Sequence, residues 1–204
     1  MSDQEALTPR VIIVRHGLLY LANFVGPGNI LDPCSLVHVF VSPRVRAVQT
    51  FELLLPASCG VVTEVTYTDE LTEWNYGNYE GLKDQEIRVS RKNSGLDKHS
   101  EWDIWSDGCE GGESKQQVTG RLDRLISQIK EIQKPYMRGE KPADVLLVAH
   151  GLILRCFLKR WLGCSINDPL EMILAPGAIA VLSYKKNDVN KPAFHVGVAL
   201  PSRK

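Results

Sequence analysis

Six short apolar runs recur along the chain, at Arg10–Arg15, Leu36–Val41, Val61–Tyr67, Ala143–Ala149, Ala178–Tyr184 and Ala193–Ala199, separated by stretches whose apolar residues return at helical spacing. Short runs bounded by turn residues read as strands, and their alternation with helical segments is the pattern of an α/β layer fold. The first helix expected after a strand is Pro43–Leu55: Ser42 suits its N-cap, Pro43 its first position, and Pro56 ends it. A second runs from Ser114 to about Lys134, because Val118, Leu122, Leu125, Ile126, Ile129 and Ile132 share one face and Pro135 stops it. A third, Gly151–Leu162, closes at Gly163.

The segment 81–112 breaks this rhythm. It is polar, holds short helical pieces and the pair Trp102 and Trp105, and has glycines near its ends at Gly77, Gly81, Gly108, Gly111 and Gly112. It reads as an excursion from a single domain spanning 1–204, placed to cover a site. A surface subdomain packed by its own two tryptophans accounts for the same pattern. No internal repeat or low-complexity stretch is visible.

Composition narrows the partners. A length of 204 residues suits one domain with a sizeable core, and 44% hydrophobic with 24% charged content is ordinary for a globular protein. The 24 Lys and Arg balance the 24 Asp and Glu, so no overall field draws the chain to nucleic acid or an anionic membrane. Anion affinity must therefore come from local clustering. Cys34, Cys59, Cys109, Cys156 and Cys164 are odd in number and form no Cys-x-x-Cys pair. That argues against a disulfide framework or a zinc site and fits a reducing compartment. The acidic start Met1-Ser2-Asp3-Gln4-Glu5 leads into no long apolar stretch, so neither signal peptide nor membrane span is expected, and the cytoplasm is the expected location.

Two of the strand-like runs end alike. Val11-Ile12-Ile13-Val14 leads into Arg15-His16-Gly17, and Val145-Leu146-Leu147-Val148-Ala149 leads into His150-Gly151. Ligands of open α/β sheets bind beyond the carboxyl ends of parallel strands, so parallel neighbours here would bring both imidazoles to one site. Ser42-Pro43-Arg44-Val45-Arg46-Ala47-Val48-Gln49-Thr50 puts basic residues in the first turn of a helix. The positive end of a helix disfavours a cation, and placing Arg46 there makes sense if a phosphate is bound. Glu73, beside the apolar Leu71 and Trp74, is expected to have a raised pKa and to act as an acid.

These are the parts that phosphoryl transfer to an imidazole needs. A neutral His, with an unperturbed pKa of ~6.5, is a nucleophile near neutrality. Arginines and a second His neutralise the equatorial oxygens, and a protonated Glu supplies the leaving alcohol with its proton. No metal-ligand cluster and no cofactor are called for. Taken singly, each signal has a plainer account: a strand-to-loop turn, a buried His satisfying a backbone group, a capped helix. Their order and shared location at strand ends favour function. His38 lies within a strand and His99 and His195 outside the pattern, so these read as structural or surface residues.

With these residues the chain resembles the histidine phosphatase superfamily, the phosphoglycerate mutase-like proteins. The resemblance spans Arg15-His16-Gly17, Ser42 to Thr50, Leu71-Thr72-Glu73 with Gly77 and Glu80-Gly81, Gly112-Glu113-Ser114, and His150-Gly151 with Leu154-Arg155. The strings Glu73 to Gly81, Ser94 to Lys98, Trp102 to Trp105 and Asp107 to Glu110 are similar to the fungal sedoheptulose bisphosphatases within it. The resemblance implies a three-layer sandwich with a mostly parallel central sheet and helices on both faces. It makes His16 the residue that becomes phosphohistidine and Glu73 the proton donor. Arg15, Arg46 and His150 would line the phosphate pocket, with the Gly151 N–H as a further donor and Tyr76 at the substrate. It also implies a small sugar phosphate as partner: a ketose bisphosphate cleaved at its C1 phosphate, in making ribose phosphate from glycolytic intermediates.

The chain departs from that family in one place. Where the family continues Arg-His-Gly with Gln-Thr or Glu-Thr and a long polar loop, this chain has Leu18-Leu19-Tyr20-Leu21-Ala22 and resumes the fungal pattern near Asn29. It reads as a chain with an internal deletion. A crossover needs ~10–12 residues, so Leu18–Val25 is expected as a short helix and Leu36–Val41 still pairs. An exposed apolar face at Leu18–Val25 would favour a homo-oligomer. Three readings stand: a sugar bisphosphatase, a mutase of the phosphoglycerate type, and a phosphate-binding pseudoenzyme. Arg91, Lys92, Lys98 and His99 are candidates for a distal phosphate, though a solvated charged surface accounts for most of them.

Overall fold

Three of the apolar runs are parallel strands buried on both sides, as a sheet between two helical layers requires, and a fourth, largely exposed, joins them in parallel at the edge. The computed structural model describes residues 8–17, 25–56, 64–98 and 100–195. Its strands are β1 (Val11–Arg15), β2 (Leu36–Val41), β3 (Glu64–Tyr67), β4 (Asp144–Ala149), β5 (Ile179–Tyr184) and β6 (Pro192–His195), in one sheet of order β3-β2-β4-β1-β5-β6. β1 runs parallel to β4 with Arg15 opposite Ala149, and β2 runs parallel to β3 and β4. β5 and β6 are antiparallel additions on the β1 side.

Helices α1 (Val45–Leu54), α2 (Asp84–Asn93), α3 (Ile104–Asp107), α4 (Lys115–Gln133) and α5 (Gly151–Trp161) complete the layers. Alternate strand residues point to opposite faces. Ile12, Val14, Val39, Val41, Leu146 and Val148 pack with Ala47 and Leu54 of α1. Val11, Ile13, Phe40, Val145, Leu147 and Ala149 share the other cluster with Leu122 and Leu125 of α4 and Ile153 and Phe157 of α5. The expected three-layer α/β sandwich is the observed fold. Among the described residues, no helix is long and apolar enough to cross a membrane.

Helix ends follow local chemistry, with one exception. Ser114 Oγ accepts from Gln117 N while Gln117 Oε1 accepts from Ser114 N at 2.8 Å, a reciprocal cap that starts α4. α5 stops where Gly163 takes a φ of +79°. The exception is Ser42, expected as the cap of a helix from Pro43. Instead α1 begins at Val45, with Arg44 in the cap position and no side-chain cap bond. The Ser42 hydroxyl is bonded to a histidine from another strand, as described below.

The excursion carries α2 and α3, and its tryptophans pack on the preceding loop rather than on each other. Trp102 meets Tyr79 edge-on at 5.7 Å and Trp105 meets Trp74 at 6.5 Å. Gly77 is where this loop turns: its φ is +53°, and a Cβ there would lie 2.2 Å from the Gly112 nitrogen. Both facts demand glycine. The expected helix at Leu18–Val25, all but Val25, lies outside the described residues, as do the start of the Val61–Tyr67 run, the end of the Ala193–Ala199 run, Cys59 and His99.

Candidate active site

The parallel strands deliver their carboxyl ends to one edge of the sheet, and three buried or half-buried side chains stand there: His16 after β1, Ser42 after β2 and His150 after β4. His16 N donates to Ala149 O at 2.9 Å, and Ser42 N donates to Val148 O at 2.9 Å, so ladder bonds continue one step past the strands. The two imidazoles lie with centroids 4.9 Å apart at an interplanar angle of 63°.

Arg46, in the first turn of α1, stands at both rings. Its Nε is 3.0 Å from His16 Nε2 and 3.0 Å from His150 Nδ1. Arginine only donates, so both ring nitrogens facing it are acceptors. The neutral rings therefore carry their protons on His16 Nδ1 and His150 Nε2, an assignment made from the partners. On its far side His150 Nε2 lies 2.7 Å from Ser42 Oγ.

Arg15 approaches from β1 and lies across the start of α5. A Cβ on Gly151 would come within 2.8 Å of Arg15 Cζ, so only glycine at the helix start admits the guanidinium. Arg15 Nη1 donates to Leu174 O at 2.6 Å. Its Nε is buried and, among the described residues, has no hydrogen-bond partner. A buried, unpaired cationic donor is costly to leave unmatched, and an anion beside Gly151 would satisfy it. Gly17 is fixed by contact too, since a Cβ would fall 2.8 Å from Gly177 N.

Glu73 comes to the same corner from the loop after β3, but its surroundings correct the expectation. It is not held among apolar groups: its oxygens accept from Leu152 N at 3.1 Å, Ile153 N at 2.8 Å and Trp74 N at 3.1 Å. The free N–H groups at the start of α5 thus hold the carboxylate, two and three residues after His150. Glu113 and Arg121 brace this loop. Arg121 binds both Glu113 oxygens at 2.8 and 3.0 Å, Glu113 Oε2 accepts from Asn75 N at 2.9 Å, and Glu113 O accepts from Trp74 Nε1 at 2.9 Å.

Two polar grooves open in this region, one of them lined by Glu73. One, of about 430 Å³, is lined by Arg44, Thr68, Thr72, Asn75 and Arg124 as well as Glu73 itself. The other, of about 290 Å³, is lined by Tyr76, Asp84, Arg88, Trp105 and Arg155. Tyr76 lines this second groove, which neither His16 nor His150 lines. Burial, with Glu73 nearby, pushes its phenol up to about 12. Arg91 is committed elsewhere: it pairs with Asp97 at 2.8 Å and donates to Tyr79 OH at 3.0 Å, so it ties the excursion together. Arg155, its guanidinium 5.6 Å from the Trp105 ring, lines the second groove, a placement that the Leu154-Arg155 string does not by itself reveal. Among the described residues, no group of three or more His, Cys, Asp and Glu could hold a metal ion.

Burial and the nearby arginines act alike on both rings. Burial first, then Arg46 and His16, pull His150 down to about 3, and burial, Arg46 and Arg15 lower His16. Both imidazoles are neutral at pH 7, and a neutral ring offers a lone pair for attack. Folding is linked to this with a definite sign. A base whose native pKa is depressed costs nothing above its unfolded value of ~6.5 and destabilises increasingly below it, until the native value is reached. His150 alone should remove on the order of 1 kcal/mol between pH 7.5 and 5.5, and His16 acts in the same direction. Urea unfolding at the two pH values should show a lower midpoint at pH 5.5, and the difference should shrink in His150→Gln.

Comparison with known proteins gives the family and the fold. The profile of the histidine phosphatase superfamily (branch 1) matches residues 28–194. The chain is 32% identical to sedoheptulose 1,7-bisphosphatase of Saccharomyces cerevisiae, covering 94% of this chain and 93% of that protein. That alignment runs over 252 residues, longer than the 204 present here, so it is opened by gaps on this side. A 2,3-bisphosphoglycerate-dependent phosphoglycerate mutase of Cytophaga hutchinsonii is 27% identical, over 82% of this chain and 75% of the mutase. The solved structure of an open reading frame product from Mycobacterium tuberculosis superposes with a TM-score of 0.65 at 23% identity, covering 92% of this chain and 96% of that one.

Proposed function

The chain belongs to the histidine phosphatase superfamily, and we propose that it is a sugar bisphosphatase acting through a phosphohistidine on His16, with sedoheptulose 1,7-bisphosphate as substrate. The observation that carries this reading is the pair of neutral imidazoles 4.9 Å apart at parallel strand ends, with Arg46 at both. The substrate rests on the 32% identity to the yeast enzyme over nearly the whole of both chains.

The phosphate enters between the rings and takes the Arg46 Nε–H from His16 Nε2, freeing that lone pair. Arg15 supplies its unmatched Nε–H. Glu73, a carboxylate in the free chain, takes up a proton from solvent as the negatively charged phosphate enters; His16 Nε2 then attacks phosphorus as the bond to the sugar oxygen breaks, and Glu73 gives that oxygen its proton. The resulting Glu73 carboxylate is the form that the N–H groups of Leu152 and Ile153 hold. It then takes a proton from the water that attacks the phosphohistidine, which releases phosphate and restores His16. No step calls for a metal.

A second reading has its own observation. Leu18-Leu19-Tyr20-Leu21-Ala22 stands where the resemblance has a polar loop, and the family match begins at residue 28, which favours a phosphate-binding chain without turnover. A panel of sedoheptulose, fructose and glycerate bisphosphates separates the readings. The phosphatase releases phosphate fastest from the sedoheptulose compound and keeps its rate with chelator present. A mutase moves phosphate between positions of phosphoglycerate, and the pseudoenzyme binds phosphate but releases none from any of them. Loss of the sedoheptulose rate to chelator would overturn the metal-free mechanism.

A further inference from the structure

We propose that Ser42 is a positioning residue whose hydroxyl exchanges donor and acceptor roles, so that His150 accepts from Arg46 in the empty site and donates to a bound phosphate from the same nitrogen. The proposal rests on the reading of the site as a phosphate pocket.

Ser42 Oγ and His150 Nε2 are 2.7 Å apart, and both residues have 0% of their surface exposed. Water does not reach this contact, so each polar atom in it must find its partner within the protein. In the empty site Arg46 Nε–H points at His150 Nδ1, which leaves the ring proton on Nε2, donating to Ser42 Oγ. Among the described residues, the one other bond to that oxygen is a 3.4 Å one from Arg44 N, in which it is again the acceptor. Among the described residues, the Ser42 hydroxyl proton then has no acceptor. The empty arrangement satisfies the histidine and leaves the serine unmatched.

An anion reverses these demands. Phosphate oxygens accept, so Nδ1 must carry the proton, and a neutral ring then has a bare Nε2 in a sealed pocket. A serine hydroxyl donates as readily as it accepts. Turned about its Cβ–Oγ bond, it gives its proton to Nε2, and every group is matched: Arg46 and Nδ1–H on phosphate, Ser42 O–H on Nε2. One proton leaves Nε2 and one joins Nδ1 by exchange with solvent, so the ring stays neutral. The depressed basicity of His150 favours that neutral ring over an imidazolium. Alanine at 42 leaves Nε2 buried with nothing to accept from.

The test uses the full chain with 15N-labelled histidine, titrated with inorganic phosphate. The His150 signals are identified by their loss in His150→Gln. In the unaltered chain, phosphate should move the proton of His150 from Nε2 to Nδ1. Ser42→Ala should bind phosphate roughly tenfold more weakly and lose that change, whereas Ser42→Thr, which keeps the hydroxyl, should restore it. An alanine chain that binds phosphate within twofold of the unaltered one, with the same ring signals, overturns the proposal. So does an imidazolium, protonated at both nitrogens, in the phosphate complex. If the unaltered chain binds no phosphate, the reading of the site falls with its ligand. The proposal, which rests on that reading, falls with it, whereas a chain that binds phosphate without moving the His150 proton overturns the proposal and leaves the pocket reading standing.

Discussion

Replacing His16 by alanine is expected to lower phosphate release from sedoheptulose bisphosphate on the order of 10⁴-fold or more, while inorganic phosphate still binds. The split follows from the geometry. Arg46 holds its place through His150 at 3.0 Å, and Arg15 through Leu174 O, so the anion-binding groups survive the loss of one ring. What disappears is the His16 Nε2 lone pair that bonds to phosphorus; His150 Nδ1, the other ring nitrogen facing Arg46, carries a proton once phosphate is bound. Rapid acid and alkali quenching adds a direct check. The unaltered chain should trap a phosphoenzyme stable to alkali and labile to acid, and the alanine chain should trap none. A variant that kept turning over would place the nucleophile elsewhere.

Glu73→Gln should cost about 10²- to 10⁴-fold in kcat on sugar bisphosphates, the usual range for a lost general acid. The amide keeps the shape but cannot release a proton to the leaving oxygen. In the first step, read as the pre-steady-state rate of phosphoenzyme formation, the same change should cost p-nitrophenyl phosphate far less, because that leaving group departs without protonation, whereas the later attack of water is common to both substrates. The contrast separates proton donation from scaffolding. Glu73 also holds the first N–H groups of α5, and simple damage to that corner would slow both substrates equally. Equal losses would therefore count against Glu73 as the acid.

The legible parts of the site were those set by short-range pattern. β1 and β4 are apolar on both faces and each runs into His-Gly, so their burial and the meeting of His16 with His150 could be argued from the chain alone. Ser42 was misread because serine before Pro43 satisfies a local capping rule, while its actual partner is 108 residues away. Glu73 was located but its surroundings were not: the groups that hold it are main-chain N–H of α5, which no side-chain pattern reveals. Arg91 looked like a free cation in a polar stretch because its pairing with Asp97 depends on how α2 ends. Trp102 and Trp105 looked like a pair, yet each found an aromatic partner in the preceding loop.

The strand order has a bearing on synthesis. β1 is the first strand made, but its neighbours are β4 and β5, both supplied by the last third of the chain. Until Asp144–Ala149 and Ile179–Tyr184 have left the ribosome, the run Val11–Val14 has nothing to pair with and stays an adhesive hydrophobic stretch. At ~5–20 residues per second that interval lasts many seconds, long enough for chaperones to engage the nascent chain.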